Sequence, residues 1–334
     1  MKDTVLVTGG AGYIGSHTVR QLVAAGYRVV VLDDLSTGHR WAVAPEATLV
    51  VGNAGDAALA GALIEEHGVR AVVHFAGSIV VPESVADPLK YYGNNSAASR
   101  NLIEAGVATG VAHFIFSSTA AVYGIPEKLP VSETAPTHPI NPYGRSKLVT
   151  EWMLEDVAAS PAGRDFRHVI LRYFNVAGAS EDGTLGQATE NATHLIKVAC
   201  EAACGVREKV TVFGTDYPTP DGTCLRDYIH VEDLARAHLD ALHFLEAGGA
   251  SDTFNVGYGR GYSVREVLEM VEKVSGVKLR VEDGPRRAGD AAELVADAGK
   301  IRKELGWSPR HVELQKICGT AYRWESKSRA SAVA

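Results

Sequence analysis

Tyr143 and Lys147 stand four residues apart in Asn141-Pro142-Tyr143-Gly144-Arg145-Ser146-Lys147. At the start of a helix that spacing puts both side chains on one face. Tyrosine ionises only near pH ~10, so by itself it is a poor base at neutral pH. A neighbouring ammonium favours the phenolate, which makes Tyr143 a candidate general base and Lys147 its electrostatic partner. A Tyr–Lys pair on a helix is also commonplace on a solvated surface. The pair therefore needs a second signal.

That signal is Thr8-Gly9-Gly10-Ala11-Gly12-Tyr13-Ile14-Gly15-Ser16-His17, which follows an apolar run and opens a helix reaching about Ala25. Gly9, Gly12 and Gly15 let the turn tighten, let backbone approach a pyrophosphate and let helix pack on strand, with the helix N-terminus facing the phosphates. Asp33 ends the next apolar run, where a carboxylate accepts from adenosine ribose hydroxyls and repels a 2′-phosphate, so NAD is favoured over NADP. Arg40 is too far along to clamp such a phosphate. An oxidised nicotinamide would add a second positive charge in favour of the Tyr143 phenolate.

The elements that must position these groups are short apolar runs at Val5-Leu6-Val7, Val29–Leu32, Thr48–Val51, Ala71–Phe75 and His113–Phe116, with a sixth at Val169–Phe174. Continuous apolar strands separated by helical patterns predict an α/β fold, a Rossmann-type doubly wound parallel sheet covered on both faces. From about Gly178 the chain becomes rich in loops, as in Tyr217-Pro218-Thr219-Pro220-Asp221-Gly222, and reads as a smaller mixed α/β domain. The expected division is 1–177 for a nucleotide domain, 178–325 for a substrate domain with the chain free to cross between them, and 326–334 as a frayed tail.

Composition removes several classes. A chain of 334 residues suits about two domains. Its net charge of −7 comes without a basic block, which argues against nucleic acid. Cys200, Cys204, Cys224 and Cys318 show no metal-ligand spacing, and Cys200 and Cys204, one helical turn apart, suit a core. No charged leader precedes Thr4–Val7, and no apolar run approaches the ~20 residues that span a bilayer, so no membrane is expected and a reduced cytoplasmic location follows.

The glycine turn and the Tyr-x-x-x-Lys pair together resemble the short-chain dehydrogenase/reductase superfamily. Its upstream Ser or Thr corresponds to Thr119 in Phe116-Ser117-Ser118-Thr119-Ala120-Ala121-Val122-Tyr123-Gly124. From Thr8 to about Trp307 the chain resembles the UDP-glucose 4-epimerase family more closely. The stretches that carry this are Val73-His74-Phe75-Ala76-Gly77, Tyr91-Tyr92-Gly93-Asn94-Asn95, Leu171-Arg172-Tyr173-Phe174-Asn175 and Asp221–Val231.

The resemblance implies NAD contacts from Tyr13, Ile14, Asp33, Phe75, Ala76, Gly77 and Asn94, with Lys147 on the nicotinamide ribose and Phe174 near the cofactor. It implies a UDP site from Asn175, Asn191, Arg226, Arg287 and Asp290, with the uracil beside Phe213. Two arginines suit a pyrophosphate and a carboxylate suits ribose hydroxyls. Two positions depart from the family: Ile79 replaces a common Lys near the NAD phosphates, and Asn53 replaces an Asp near the adenine, where its amide oxygen still accepts a hydrogen bond. Leu294 falls where some members carry Tyr against the hexose 2-substituent, so an N-acetyl group has room.

The implied chemistry is proton removal from the 4-hydroxyl by Tyr143, assisted by Thr119, with hydride passing to NAD and returning to the other face of a rotated 4-keto sugar. A homodimer built on helices near 94–109 and 143–157 is implied as well. A 4,6-dehydratase would need an acid–base carboxylate pair after Thr119, where Ala120 and Ala121 stand. UDP-N-acetylglucosamine and UDP-glucuronate remain alternative substrates, and a non-catalytic dinucleotide-binding protein is the reading from another class.

Overall fold

Val5, Leu6 and Val7 are all fully buried, yet Val5 and Val7 belong to one hydrophobic cluster and Leu6 to another. Alternate residues of a strand face opposite ways, so this run is central to a sheet covered on both sides. The computed structural model describes residues 2–190, 192–287 and 290–333.

The first half runs β1 (Thr4–Thr8), α1 (Tyr13–Ala24), β2 (Arg28–Asp33), β3 (Thr48–Val51), α2 (Ala57–His67) and β4 (Val69–His74). It continues through α3 (Val81–Ala86), α4 (Pro88–Tyr91), a π-helical turn (Tyr92–Ala97), α5 (Ala98–Ala108), β5 (His113–Ser117), α6 (Pro142–Ala159) and β6 (Arg167–Tyr173). The second half holds β7 (Asn175–Ala177), α7 (Leu195–Ala203), β8 (Val210–Phe213), β9 (Leu225–His230), α8 (Val231–Glu246) and β10 (Asp252–Val256). It ends with β11 (Gly261–Ser263), α9 (Val264–Ser275), β12 (Val281–Gly284), β13 (Glu293–Leu294), α10 (Gly299–Glu304) and α11 (Leu314–Val333).

Among the described residues seven strands form the main sheet in the order β10-β6-β5-β4-β1-β2-β3, all parallel. The order reverses between β1 and β4, and in such sheets ligands bind beyond the carboxyl ends at that crevice. All six expected strands lie in this sheet. The seventh, β10, comes from the second half, and α8 covers the same face as α1, so residues 231–256 return to the first layer.

The smaller layer joins β7, β11 and β13 to β9, and β12 pairs with β8. Its core contains Ile196, Cys200, Val212, Val271, Ile317 and Cys318, in keeping with cysteines that pack rather than pair. The Asp227 carboxylate is fully buried and accepts the N–H groups of Tyr258, Gly259 and Ala296, tying β9 to the segments after β10 and β13. Residues 326–333, expected to fray, continue α11, since neither Gly nor Pro interrupts that stretch.

Candidate active site

α6 begins where Asn141 caps it, its side chain accepting the Gly144 N–H at 2.9 Å, with Pro142 in the first helical position. Tyr143 therefore sits in the first turn and Lys147 one turn later, both buried. Thr119 lies just beyond the carboxyl end of β5 and caps the short turn Ala120–Tyr123, its Oγ1 accepting the Ala121 N–H at 3.1 Å. The three residues expected to do the chemistry are thus placed by the start of one helix and the end of one strand.

Their electrostatics differ in part from expectation. Burial raises the Tyr143 pKa above the usual tyrosine value, Tyr173 pushes the same way, and the Thr119 hydroxyl opposes both by hydrogen bonding. Lys147 donates to the Ser117 carbonyl at 3.0 Å, and burial lowers its pKa to about 8 against the opposing charge of Glu151. The protein groups alone favour a neutral phenol, because desolvation outweighs the Thr119 hydrogen bond.

Behind these groups lies a paired network that the sequence did not announce. Glu151 accepts from Ser118 and from Arg172, the shortest contact to Arg172 being 2.6 Å. Arg172 also donates to the Tyr123 hydroxyl at 3.1 Å, which donates to Asn255 at 2.7 Å. A buried charge pair this well satisfied fixes geometry more than it adds stability.

The glycine-rich turn fits a dinucleotide. Gly9 has φ +72° and a Cβ there would lie 2.7 Å from the Ala76 nitrogen, while a Cβ on Gly15 would lie 2.1 Å from the Gly9 oxygen. Gly12 is the N-cap of α1 and brings no capping side chain, and no acidic residue occupies the first turn, so the leading N–H groups face outward for phosphate. Asp33 accepts from the Ala11 and Leu35 N–H groups, and burial raises its pKa. Across the switch point, the Phe75 and Ala76 N–H groups donate to the Thr8 carbonyl, and Gly77 abuts Asn95 and Lys147.

Other cofactor candidates take more varied places. The Tyr13 hydroxyl donates to the Gly178 carbonyl at 2.6 Å and Ile14 packs on the core beside α8, so both join the halves of the chain. Asn94 donates to Ser78, and its neighbour Asn95, which sequence reasoning passed over, is the stronger anchor: it bonds Ser78 N, Ser78 O and Ser146 Oγ. Asn53 spends its amide oxygen on the Gly55 N–H at 2.7 Å, which leaves its NH₂ rather than the expected acceptor facing outward. Ile79 is 43% exposed and leaves no charge there. Phe174 is buried with Ala120, Val122 and Leu148, directly behind the Thr119 turn.

Four of the residues expected to hold UDP, Phe213, Arg226, Arg287 and Asp290, gather at β8, β9 and the segment before β13. Arg226 lies 3.6 Å from one oxygen of Asp290, and Arg287 donates to the other at 2.8 Å. The Arg287 guanidinium stands 5.0 Å from the centre of the Phe213 ring. Two guanidiniums around one carboxylate leave net positive charge, which suits a diphosphate. Leu294 pairs with Arg226 between β13 and β9 and packs against the cluster of Phe174, Ala120 and Leu148, so it joins this group to the catalytic turn.

Asn175 lines a cavity with Gln187, His194, Leu195, Lys197 and Tyr228. Asn191 lies outside the described residues. His194, three positions later at the N-terminus of α7, hydrogen-bonds Gln187 at 3.0 Å and shares the cavity with Asn175. The available signal was its place immediately before an apolar helical run. His230, Glu232 and His311 bring ligand atoms within 4.8 Å of one another, but His230 spends its two ring nitrogens on Thr320 and the Glu232 N–H.

A Rossmann sheet with this glycine-rich turn, and Thr119, Tyr143 and Lys147 at its carboxyl edge, defines an NAD-binding enzyme of the short-chain dehydrogenase/reductase class. The chain belongs to the NAD dependent epimerase/dehydratase family, whose model matches residues 5–257. It is 56% identical over 321 residues to a UDP-glucose 4-epimerase of Azospirillum brasilense, covering 96% of this chain and 91% of that one. Its structure is similar to that of UDP-glucose 4-epimerase from Brucella ovis in complex with NAD, with TM-score 0.93, 45% identity and coverage of 97% and 99% of the two chains. The UDP-Glc/GlcNAc 4-epimerase of Campylobacter jejuni is 51% identical with TM-score 0.85, over 98% and 100% of the two chains.

Proposed function

We propose that this protein is an NAD-dependent epimerase that interconverts UDP-galactose and UDP-glucose by inverting C4, with residues 1–177 holding the cofactor and most of 178–325 holding UDP. What supports the assignment of roles is Leu294, which pairs with Arg226 beside Asp290 and packs on the cluster of Ala120, Leu148 and Phe174, whose chain neighbours include Thr119 and Lys147. The UDP group is gripped by charge while the hexose lies against small and apolar side chains. A sugar held loosely in this way can turn over without leaving.

Bound NAD supplies reversible hydride acceptance at C4 and a positive charge beside Tyr143. Tyr143 takes the proton of the 4-hydroxyl into its phenol oxygen, and gives it back when the sugar presents its other face. Thr119 shares a hydrogen bond with that oxygen. Lys147, held by its bond to the Ser117 carbonyl, would supply a cation to the nicotinamide ribose when NAD is bound.

Purified protein incubated with UDP-galactose, without added NAD, should form UDP-glucose detectable by a coupled dehydrogenase, and Tyr143→Phe should abolish it. Unchanged turnover in that variant contradicts the role of Tyr143. Activity that appears only with added NAD would mean a cofactor held weakly.

UDP-N-acetylglucosamine is a second substrate on this reading. Leu294, smaller than a tyrosine, borders the turn that starts at Thr119, and the similar Campylobacter protein is named for both sugars. Absence of turnover of the acetylated sugar would sink this extension.

The protein acts as a homodimer through the surface of α5 and α6, where Trp152 is 52% exposed and where α3 and α4, which carry the exposed Val85 and Leu89, pack against α6. Light scattering that gives a monomer mass refutes this. Among the described residues no helix is long and apolar enough to cross a membrane, and a cytoplasmic location agrees with Cys200 and Cys318 lying in a core as thiols.

A further inference from the structure

The groove in front of the glycine-rich turn has two lips drawn from distant parts of the chain. One is the β2–β3 connection, which contributes Thr37, His39 and Trp41. The other is the segment 186–189 of the second half, with Gly186, Ala188 and Thr189. An aromatic stack spans them. Trp41 lies 5.7 Å from Trp324 of α11, centre to centre, with the rings 29° apart, and His39 stacks on Trp41 at 5.3 Å and 16°.

Each end of the stack is fastened to its own lip. The His39 N–H donates to the Ala11 carbonyl at 3.0 Å, inside the glycine-rich turn itself. The Trp324 indole N–H donates to the Gln187 carbonyl at 3.3 Å. A Cβ on Gly186 would lie 2.3 Å from Trp324 Cγ, so a glycine is required for the ring to rest so closely on this lip. Trp41 remains 54% exposed. A large aromatic left half in water, and still stacked, suits a contact that opens better than it suits a core.

We propose that Trp41 and Trp324 form a clasp across the cofactor groove that retains NAD between turnovers. The proposal rests on the NAD reading above. A dinucleotide seated with its pyrophosphate at the N-terminus of α1 lies under both lips, and to leave it must part them and separate the rings. Stacked rings resist separation by dispersion and by the water their faces would meet. With Ile79 adding no charge to the phosphates, mechanical closure carries more of the retention than it would beside a lysine.

The test uses protein purified with its NAD, transferred to NAD-free buffer with a dehydrogenase and its alcohol present to consume free NAD as it is released. Trp41→Ala should release NAD about tenfold faster than the wild type, equivalent to about 1.4 kcal/mol. Trp41→Phe, which restores a ring, should fall between the two. Release from folded Trp41→Ala at the wild-type rate overturns the clasp. Should that variant be unstable, Trp324→Phe, which shortens the stack and removes the indole N–H, carries the same test, and wild-type release from it overturns the proposal. A wild-type protein that loses its NAD on purification yet works when NAD is added would overturn the clasp alone, whereas one that binds no added NAD would overturn the cofactor reading and the clasp with it.

Discussion

Thr119 does two jobs with one side chain: its oxygen caps the turn Ala120–Tyr123 and its hydroxyl pulls the Tyr143 pKa down against burial. Thr119→Val keeps the shape and removes the oxygen. We expect kcat for UDP-galactose to fall about 10²-fold, within the usual range for losing part of an acid–base system. A variant within twofold of wild type would remove Thr119 from the chemistry. At Leu294 a larger ring should narrow the sugar pocket, so Leu294→Tyr should lower the kcat/KM ratio of UDP-N-acetylglucosamine to UDP-glucose by about tenfold or more. An unchanged ratio would place Leu294 outside the sugar's reach. Tyr143 and Lys147 were legible because helical spacing is local. The cluster of Arg226, Arg287 and Asp290 was legible only through family resemblance, since no spacing rule links residues from separate strands. His194 and Asn95 were missed because their roles depend on which way a loop and a π-helical turn direct them.

At the scale of elements, the cofactor turn and the catalytic helix are each set by a few backbone requirements. Gly15→Ala forces a methyl into the Gly9 carbonyl, so α1 must move away from β1. This variant should purify without NAD and melt at a lower temperature, whereas a holoprotein with wild-type NAD content would contradict the phosphate role of the turn. The parallel strands could be read directly because each is a continuous apolar run. β10 could not be assigned to the first sheet, since its sequence does not encode that Asp252–Val256 adds beside β6. The extension of α11 through residues 326–333 was likewise hidden, because small polar residues show no periodicity even when nothing forbids a helix.

Across the whole molecule, burial of neutral histidines sets a limit on stability in acid. His17 and His238 each bond a backbone carbonyl through Nδ1, at 2.8 and 2.9 Å, and bury an Nε2 that meets no partner. His74 uses one nitrogen on Thr8 and the other on Ser99. Burial is the main cause that lowers their pKa values to about 4, about 4 and about 3 respectively, whereas an unfolded histidine titrates near ~6.5. Between about pH 6.5 and 4 the unfolded chain binds more protons than the folded one, so stability rises with pH through that window and is lost as pH falls through it. Tm should therefore hold above about pH 6.5 and decline steadily below it. A Tm that is flat from pH 7 to pH 5 would contradict this account of the buried rings.

On the mechanism proposed above, C4 loses and regains the same hydrogen on the protein, with only the hydroxyl proton passing through Tyr143. UDP-galactose carrying deuterium at C4 should be converted to UDP-glucose in ordinary water, and the position of the label read by mass spectrometry and NMR. Full retention of deuterium at C4 is expected in the product. Loss of the label to solvent would contradict this mechanism, because inversion would then run by proton abstraction from carbon rather than by hydride removal and return.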